Sequence, residues 1–220
     1  MKKIQAVIFD LDGVIVSTDE FHFQAWKQLA DAEGIPFTRE DNERLRGVSR
    51  MESLDILLEK STRKYSGAEK EEMATRKNTI YRESLKELSP ADILPGVAEV
   101  LKGLRERGIK IAIGSSSKNA GPILVAIGLD KTFDEVVDGT HIARSKPDPE
   151  VFTLAGKQLG VPPDQCLVVE DADAGVDAGL AAGMSVLAVG SAVAHPGATL
   201  KSADLSNISL DEMLGVNTRA

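Results

Sequence analysis

The chain has 220 residues, 42% apolar and 27% charged, with 26 Lys and Arg against 34 Asp and Glu for a formal charge of -8. That length makes one large domain, or a core of about 140 residues plus a smaller insert. The acidic balance argues against a broad nucleic-acid surface or an anionic-membrane partner, and a single cysteine, Cys166, excludes an intrachain disulfide framework.

The N-terminus carries Lys2, Lys3 and a short apolar run that ends at Asp10. The run is too short for the apolar region of a signal sequence or for a membrane span, so a cytoplasmic protein is expected. Residues 6–9 are the first of four short apolar segments predicted as buried strands. The stretch 17–90 holds no convincing strand; residues 25–32, 50–60 and 66–88 are instead predicted as amphipathic helices rich in Lys, Arg and Glu. Asp92-Ile93-Leu94-Pro95-Gly96 reads as the return into the core. A helix over 97–107, closed by Gly108, then leads into a strand over 109–113. A helix over 149–159, closed by Gly160, precedes a strand over 167–169, with Cys166 as a small buried hydrophobe at its start. A helix over 174–182, closed by Gly183, precedes the strand over 185–189, and 190–207 reads as loop-rich. Continuous apolar strands linked through helices argue for a parallel sheet covered on both faces. The expected architecture is an α/β, Rossmann-like core made of residues 1–16 and 91–220, with an all-helical cap inserted at 17–90.

Four places carry chemistry. Phe9-Asp10-Leu11-Asp12-Gly13-Val14 ends a buried strand in two carboxylates one residue apart, where doubly wound sheets bind ligands. The plain alternative is a turn before Gly13. Read chemically, an ionised Asp10 attacks phosphorus, Asp12 exchanges a proton with the leaving or accepting oxygen, and magnesium offsets the charge repulsion. Ser115-Ser116-Ser117-Lys118-Asn119 follows the second strand and either cradles phosphate with hydroxyls and N–H groups or merely ends the strand. In Ser145-Lys146-Pro147-Asp148-Pro149, Lys146 is either a point charge for a phosphoryl oxygen or Asp10, or a surface lysine in a proline turn. Val168-Val169-Glu170-Asp171-Ala172 repeats the strand-then-acid pattern. Asp10, the Asp12 carbonyl and Asp171 suit an oxygen shell for magnesium, with Glu170 joining directly or through water, unless Asp171 only caps the next helix.

As a set, Asp10-Leu11-Asp12-Gly13-Val14, Ser115-Ser116-Ser117, Lys146-Pro147 and Glu170-Asp171 resemble the four motifs of the haloacid-dehalogenase-like superfamily. That resemblance implies an aspartyl-phosphate intermediate and a Rossmann-like core. Thr18-Asp19-Glu20-Phe21-His22-Phe23-Gln24-Ala25-Trp26, Leu45-Arg46-Gly47-Val48-Ser49-Arg50 and Arg76-Lys77-Asn78 are similar to the cap of the beta-phosphoglucomutase family. That family interconverts beta-D-glucose 1-phosphate and D-glucose 6-phosphate, with Mg2+ and beta-D-glucose 1,6-bisphosphate as intermediate and activator. The resemblance implies Asp10 as nucleophile, Asp12 as general acid and base, and Ser115, Ser116 and Lys146 around the reacting phosphate. It implies a metal site of Asp10, the Asp12 carbonyl, Glu170 and Asp171.

For the cap, the resemblance implies that Arg50 holds the non-transferring phosphate, with Ser117 and Asn119 nearby. Gly47, Val48, Ser53 and Lys77 match substrate-site positions, and Thr18, His22 and Trp26 match the hinge and cap interface, His22 and Trp26 counting among substrate contacts. Taken alone, Arg50 reads as a solvated helix arginine, His22 as a packed or surface residue and Trp26 as core packing. Ser17 departs from relatives that place an acidic residue before the hinge Thr, and Ser116 stands where the family also has Ala. The alternatives are a sugar-phosphate phosphatase with the same covalent step, or a noncatalytic sugar-phosphate-binding module. The expected partners are small hexose phosphates, without nucleic acid or membrane, and the expected state is a monomer.

Overall fold

The computed structural model describes residues 3–215. Six parallel strands, β1 (Ala6–Phe9), β2 (Lys110–Gly114), β3 (Glu135–Val137), β4 (Cys166–Glu170), β5 (Ser185–Ala188) and β6 (Leu200–Lys201), form one sheet in the order β3-β2-β1-β4-β5-β6. The period of two in a strand divides their side chains between the two faces. Val7, Phe9, Ile111, Ile113, Leu167, Val169 and Leu187 point into one apolar cluster, and Ala6, Ile8, Ala112, Cys166, Val168, Val186 and Ala188 into another. Both faces are dry, which is why these segments read as continuous apolar runs rather than alternating ones.

Helices cover the two faces. The first cluster takes Val97, Val100, Leu101 and Leu104 from a helix at Val97–Glu106, and Ile123 and Leu124 from one at Ala120–Ala126. The second takes Val151, Phe152, Ala155 and Leu159 from Glu150–Leu159, and Val176 and Ala178 from Asp173–Ala181. In chain order the helices are α1 (Asp19–Ala32), α2 (Arg39–Glu43), α3 (Arg50–Leu58), α4 (Gly67–Ser84), α5 (Val97–Glu106), α6 (Ala120–Ala126), α7 (Glu150–Leu159), α8 (Asp173–Ala181) and α9 (Leu210–Met213).

The helices α1 to α4 lie between β1 and α5 and have an apolar cluster of their own, with Phe23, Trp26, Leu29, Leu54, Leu57 and Met73. Capping boxes at Thr38, Ser49 and Ser66 start α2, α3 and α4, each satisfying N–H groups that the helix itself leaves unpaired. The chain leaves and re-enters the core at one place: Leu94 N donates to Ile15 O at 2.9 Å, and Val16 bridges Ile93. An all-helical cap is thus inserted after the first strand.

The sheet also holds two strands that the sequence reading did not anticipate. β3 has three residues, and β6 has two and falls inside the stretch read as loop. Both sit at or beside a sheet edge, where a strand is too short to show an apolar run. The first cap helix, α1, starts at Asp19 rather than residue 25, and α4, expected over 66–88, ends at Ser84, followed by a 3-10 turn at Leu85–Glu87. Cys166 opens β4 and is fully buried; burial pushes its thiol up to about 11, which leaves it unreactive. Among the described residues, no helix is long and apolar enough to cross a membrane.

Candidate active site

The sheet order puts β1 between β2 and β4, in a register that pairs Phe9 with Ile113 on one side and with Val169 on the other. The residues just beyond those pairs, Asp10, Ser115 and the Glu170-Asp171 pair, therefore emerge together at the C-terminal edge, where the chain direction leaves a crevice. Asp10 is buried, and its N–H donates to Val169 O at 2.9 Å.

Lys146 reaches this edge from a loop before α7. Its ammonium donates to Asp10 Oδ1 and to Glu170 Oε1, both at 2.5 Å, and the side chain is 1% exposed. Burial alone favours the neutral amine, but Asp10 and Glu170 outweigh it and hold Lys146 above its ordinary value. The other oxygen of Glu170 accepts the N–H groups of Asp171 at 2.8 Å and Ala172 at 3.0 Å. Two glycines make room for these acids. A Cβ on Gly175 would come within 1.8 Å of Glu170 Oε1, and one on Gly13, at φ +83, within 2.1 Å of Asp171 Oδ2.

Carboxylate oxygens of Asp10, Glu170 and Asp171 lie within 4.8 Å of one another. Burial and repulsion from Glu170, Asp10 and Asp12 push Asp171 up to about 8, against the attraction of Arg46. Glu170 is also raised, by burial and by Asp10, with Lys146 opposing. A hard divalent cation with oxygen ligands is the natural relief for such a cluster, and the donor set fits Mg2+. At a Mg2+ concentration one hundred times its Kd the protein is expected to gain about 2.7 kcal/mol of stability, and Asp171→Asn to lose most of that gain. Calorimetric melting with and without Mg2+ checks this; equal shifts in both proteins would place the ion elsewhere.

Asp12 faces the hinge rather than the cluster. Its carboxylate accepts Thr18 N at 2.7 Å and Thr18 Oγ1 at 2.5 Å. Tyr81 Oη lies 2.9 Å from Thr18 Oγ1, and since that hydroxyl's proton is committed to Asp12, Tyr81 is the donor. Burial pushes Asp12 up to about 6, and the two Thr18 bonds hold it from going higher. His22 Nδ1 lies 2.7 Å from Lys77 Nζ, while its Nε2 faces Asp12 Oδ2 at 3.7 Å. Lys77 is 2% exposed, its ammonium 4.8 Å from the Trp26 ring centroid and 4.5 Å from that of Tyr81. Burial, together with the positive charge of Arg50, drives both His22 and Lys77 well below their ordinary values.

A cavity of about 450 Å³ lies between core and cap. His22, Trp26, Gly47, Val48, Arg50, Ser53 and Lys77 border it from the cap, and Asp10, Asp12, Ser115, Ser116, Ser117, Asn119 and Asp171 from the core. Lys146, Glu170 and Thr18 stand behind that wall, each bonded to a residue in it or beside it. Trp26, 2% exposed, packs within the cap cluster, and Ser53 is 4% exposed. Asp171 does not cap α8, whose N-cap is Ala172. In the loop after β2, Ser115 Oγ accepts Ser117 N at 3.1 Å and Ser117 Oγ accepts Asn119 N at 3.2 Å. Among the described residues, Ser116 Oγ is buried with no hydrogen-bond partner, and it borders the cavity. Arg50 is partly buried and, among the described residues, makes no ion pair within 4 Å; Glu71 is the carboxylate whose charge acts on it.

Sequence reasoning gave no role to Arg46, which spans the cleft from the cap. Its guanidinium meets Asp171 Oδ2 at 3.3 Å and Asp19 Oδ2 at 3.0 Å. The signal available was its place beside Gly47, in a segment already singled out. Asn78, whose side chain accepts from Asn119 Nδ2 at 3.1 Å, lies in the Arg76-Lys77-Asn78 segment but was given no role of its own.

The haloacid dehalogenase-like hydrolase family profile matches residues 4–183. The chain belongs to that family. The beta-phosphoglucomutase of Bacillus subtilis (strain 168) is 44% identical over 210 residues, 94% of this chain and 93% of that protein. A crystal structure of beta-phosphoglucomutase from Clostridium difficile superposes with a TM-score of 0.92 at 39% identity, covering 96% of each chain. The phosphorylated carbohydrates phosphatase of Thermotoga maritima is 35% identical over 184 residues, 82% of each chain. Within the family, this is a beta-phosphoglucomutase-like member, whose Asp10, Glu170 and Asp171 cluster suits Mg2+-dependent phosphoryl transfer through an aspartyl phosphate.

Proposed function

We propose that the protein interconverts beta-D-glucose 1-phosphate and D-glucose 6-phosphate through beta-D-glucose 1,6-bisphosphate. The observation that carries this reading is the cavity between core and cap, with Asp10 on its core wall and Arg50 on its cap wall. Such a site grips a sugar that bears phosphate at both ends. Arg50 supplies a planar fork of donors for the end that does not react, helped by Ser117 and Asn119.

In the forward direction, the phosphoryl group on Asp10 passes to the sugar 6-hydroxyl. That hydroxyl's oxygen bonds to phosphorus, the Asp10 oxygen–phosphorus bond breaks, and Asp12 takes the proton. The bisphosphate then turns end for end. Asp10 attacks the phosphorus at C1, and Asp12 returns its proton to the departing C1 oxygen. A value near 6 suits a group that must both give and take a proton near neutrality. Ser115, Ser116 and Lys146 steady the transferring group. Magnesium, when held by Asp10, Glu170, Asp171 and the Asp12 carbonyl, neutralises charge on the phosphoryl oxygens. Gly47, Val48, Ser53, His22, Trp26 and Lys77 shape the sugar pocket, and Thr18 is the hinge point of a cap spanning 17–90 on a core of 1–16 and 91–220. The same reading makes the protein a cytoplasmic monomer acting on hexose phosphates.

A second reading, a sugar-phosphate phosphatase, draws support from the Thermotoga relative and differs only in the final acceptor. Alpha- and beta-glucose 1-phosphate, each with Mg2+ and catalytic bisphosphate, separate the two. The expected result is glucose 6-phosphate from the beta anomer with little inorganic phosphate. Stoichiometric phosphate without the isomer would overturn the mutase reading.

A further inference from the structure

The loop that carries Lys146 is pinned on two sides. On the core side, Ala143 N and Arg144 N donate to a Glu150 carboxylate oxygen at 3.1 and 2.8 Å, and Asp148 N donates to Ser145 O at 3.0 Å. On the cap side, the Ser145 hydroxyl donates to Glu52 Oε2. That same oxygen accepts Ser49 N at 2.9 Å, while Glu52 N donates to Ser49 Oγ at 3.3 Å, which makes Glu52 the acidic half of the α3 capping box. Arg50 is the first residue of α3 and borders the cavity; Glu52, two positions on, turns to the loop instead.

We propose that Glu52 and Ser145 are a positioning pair that couples the seating of the Arg50 helix to the loop holding Lys146. The inference rests on the reading of Arg50 as the anchor of the non-reacting phosphate. One turn of helix is stiff, so an anion that draws Arg50 inward carries Glu52 with it. The capping box has already fixed the Glu52 side chain, so little rotamer freedom is lost when it meets Ser145. A carboxylate that accepts one cap N–H keeps lone pairs for a further donor. Ser145 is one residue from Lys146, whose ammonium bonds Asp10, so closure of the cap is transmitted to the nucleophile through two hydrogen bonds and one peptide.

The test uses Ser145→Ala, Ser145→Thr, Glu52→Ala and the Ser145→Ala/Glu52→Ala double variant. It reads kcat, KM for beta-glucose 1-phosphate, inorganic phosphate released per isomerisation, and melting temperature. Ser145→Ala should raise KM about three- to tenfold, the range for one lost hydrogen bond, and raise the phosphate leak with the melting temperature unchanged. Ser145→Thr should restore both, and the double variant should match Glu52→Ala in KM and leak. Wild-type KM and leak in Ser145→Ala, or effects that multiply in the double variant, would overturn the pair. If the wild-type protein releases phosphate and forms no isomer, the mutase reading fails on that measurement alone. The pair is then judged on KM for phosphate release: a threefold or larger rise in Ser145→Ala supports it, and no rise overturns it.

Discussion

Asp10→Asn protein is expected to form no acid-precipitable phosphoenzyme and to lose turnover by a factor on the order of 10^4 or more, the scale of removing a covalent nucleophile. Asn keeps the shape of Asp and an oxygen that still accepts from Lys146 Nζ, so the fold has no steric reason to fail. It removes the negative charge that attacks phosphorus, and with it one of the three carboxylates of the cluster. The substitution removes one of the two carboxylates that pair Lys146 but also relieves repulsion on Glu170 and Asp171, so the Mg2+-free melting temperature should fall less than in a Lys146 variant, which loses the attraction without any relief. Incubation with labelled bisphosphate followed by acid quench measures the phosphoenzyme, and a coupled assay measures turnover. Normal labelling would move the nucleophile to another residue. Loss of turnover accompanied by a large fall in melting temperature would reduce the result to misfolding.

The sequence disclosed the parts of this site that are local. A buried strand needs a run of apolar residues on both faces, so 6–9 and 167–169 could be seen, along with the acids that end them. Asp10, Asp12, Glu170 and Asp171 each follow such a run directly. What stayed hidden depends on which strands are neighbours. Lys146 is 136 positions from Asp10, and its place between Asp10 and Glu170 follows only from β1 lying beside β4. In isolation it could not be told from a surface lysine, yet it is 1% exposed. Short edge strands such as Glu135–Val137 carry too few residues for any pattern, and α2, five polar residues started by a Thr38–Asp41 box, has no apolar face to detect. Lys77 gives the reverse lesson. Charge suggests a solvated side chain, but the aromatic rings of Trp26 and Tyr81 and the neutral nitrogen of His22 surround it, and nothing in Arg76-Lys77-Asn78 by itself discloses that company.

Lys146→Met should destabilise the Mg2+-free protein by about 3–5 kcal/mol, the cost of breaking a buried ion pair from one side. Met retains most of the volume against Phe152, whose ring centroid lies 4.7 Å from the ammonium, so packing changes little. What changes is charge: Asp10, Glu170 and Asp171 are left with Arg46 as the nearest cation, at 3.3 Å from Asp171. Glu170 already titrates above its ordinary value, with Lys146 as the main attraction that restrains it, and the substitution raises it further. A carboxyl whose folded pKa exceeds its unfolded one binds its proton more tightly in the fold. Stability is therefore lost as pH climbs from the unfolded value through the folded one, and the deficit of the variant should be widest at alkaline pH and shrink on acidification. Mg2+ should recover part of it by supplying the missing positive charge to the same three acids. Urea unfolding at several pH values, with and without Mg2+, tests all of this together. A deficit independent of pH and Mg2+ would mean that Lys146 stabilises by packing alone, and the same charge could then not be what steadies the phosphoryl group at Asp10.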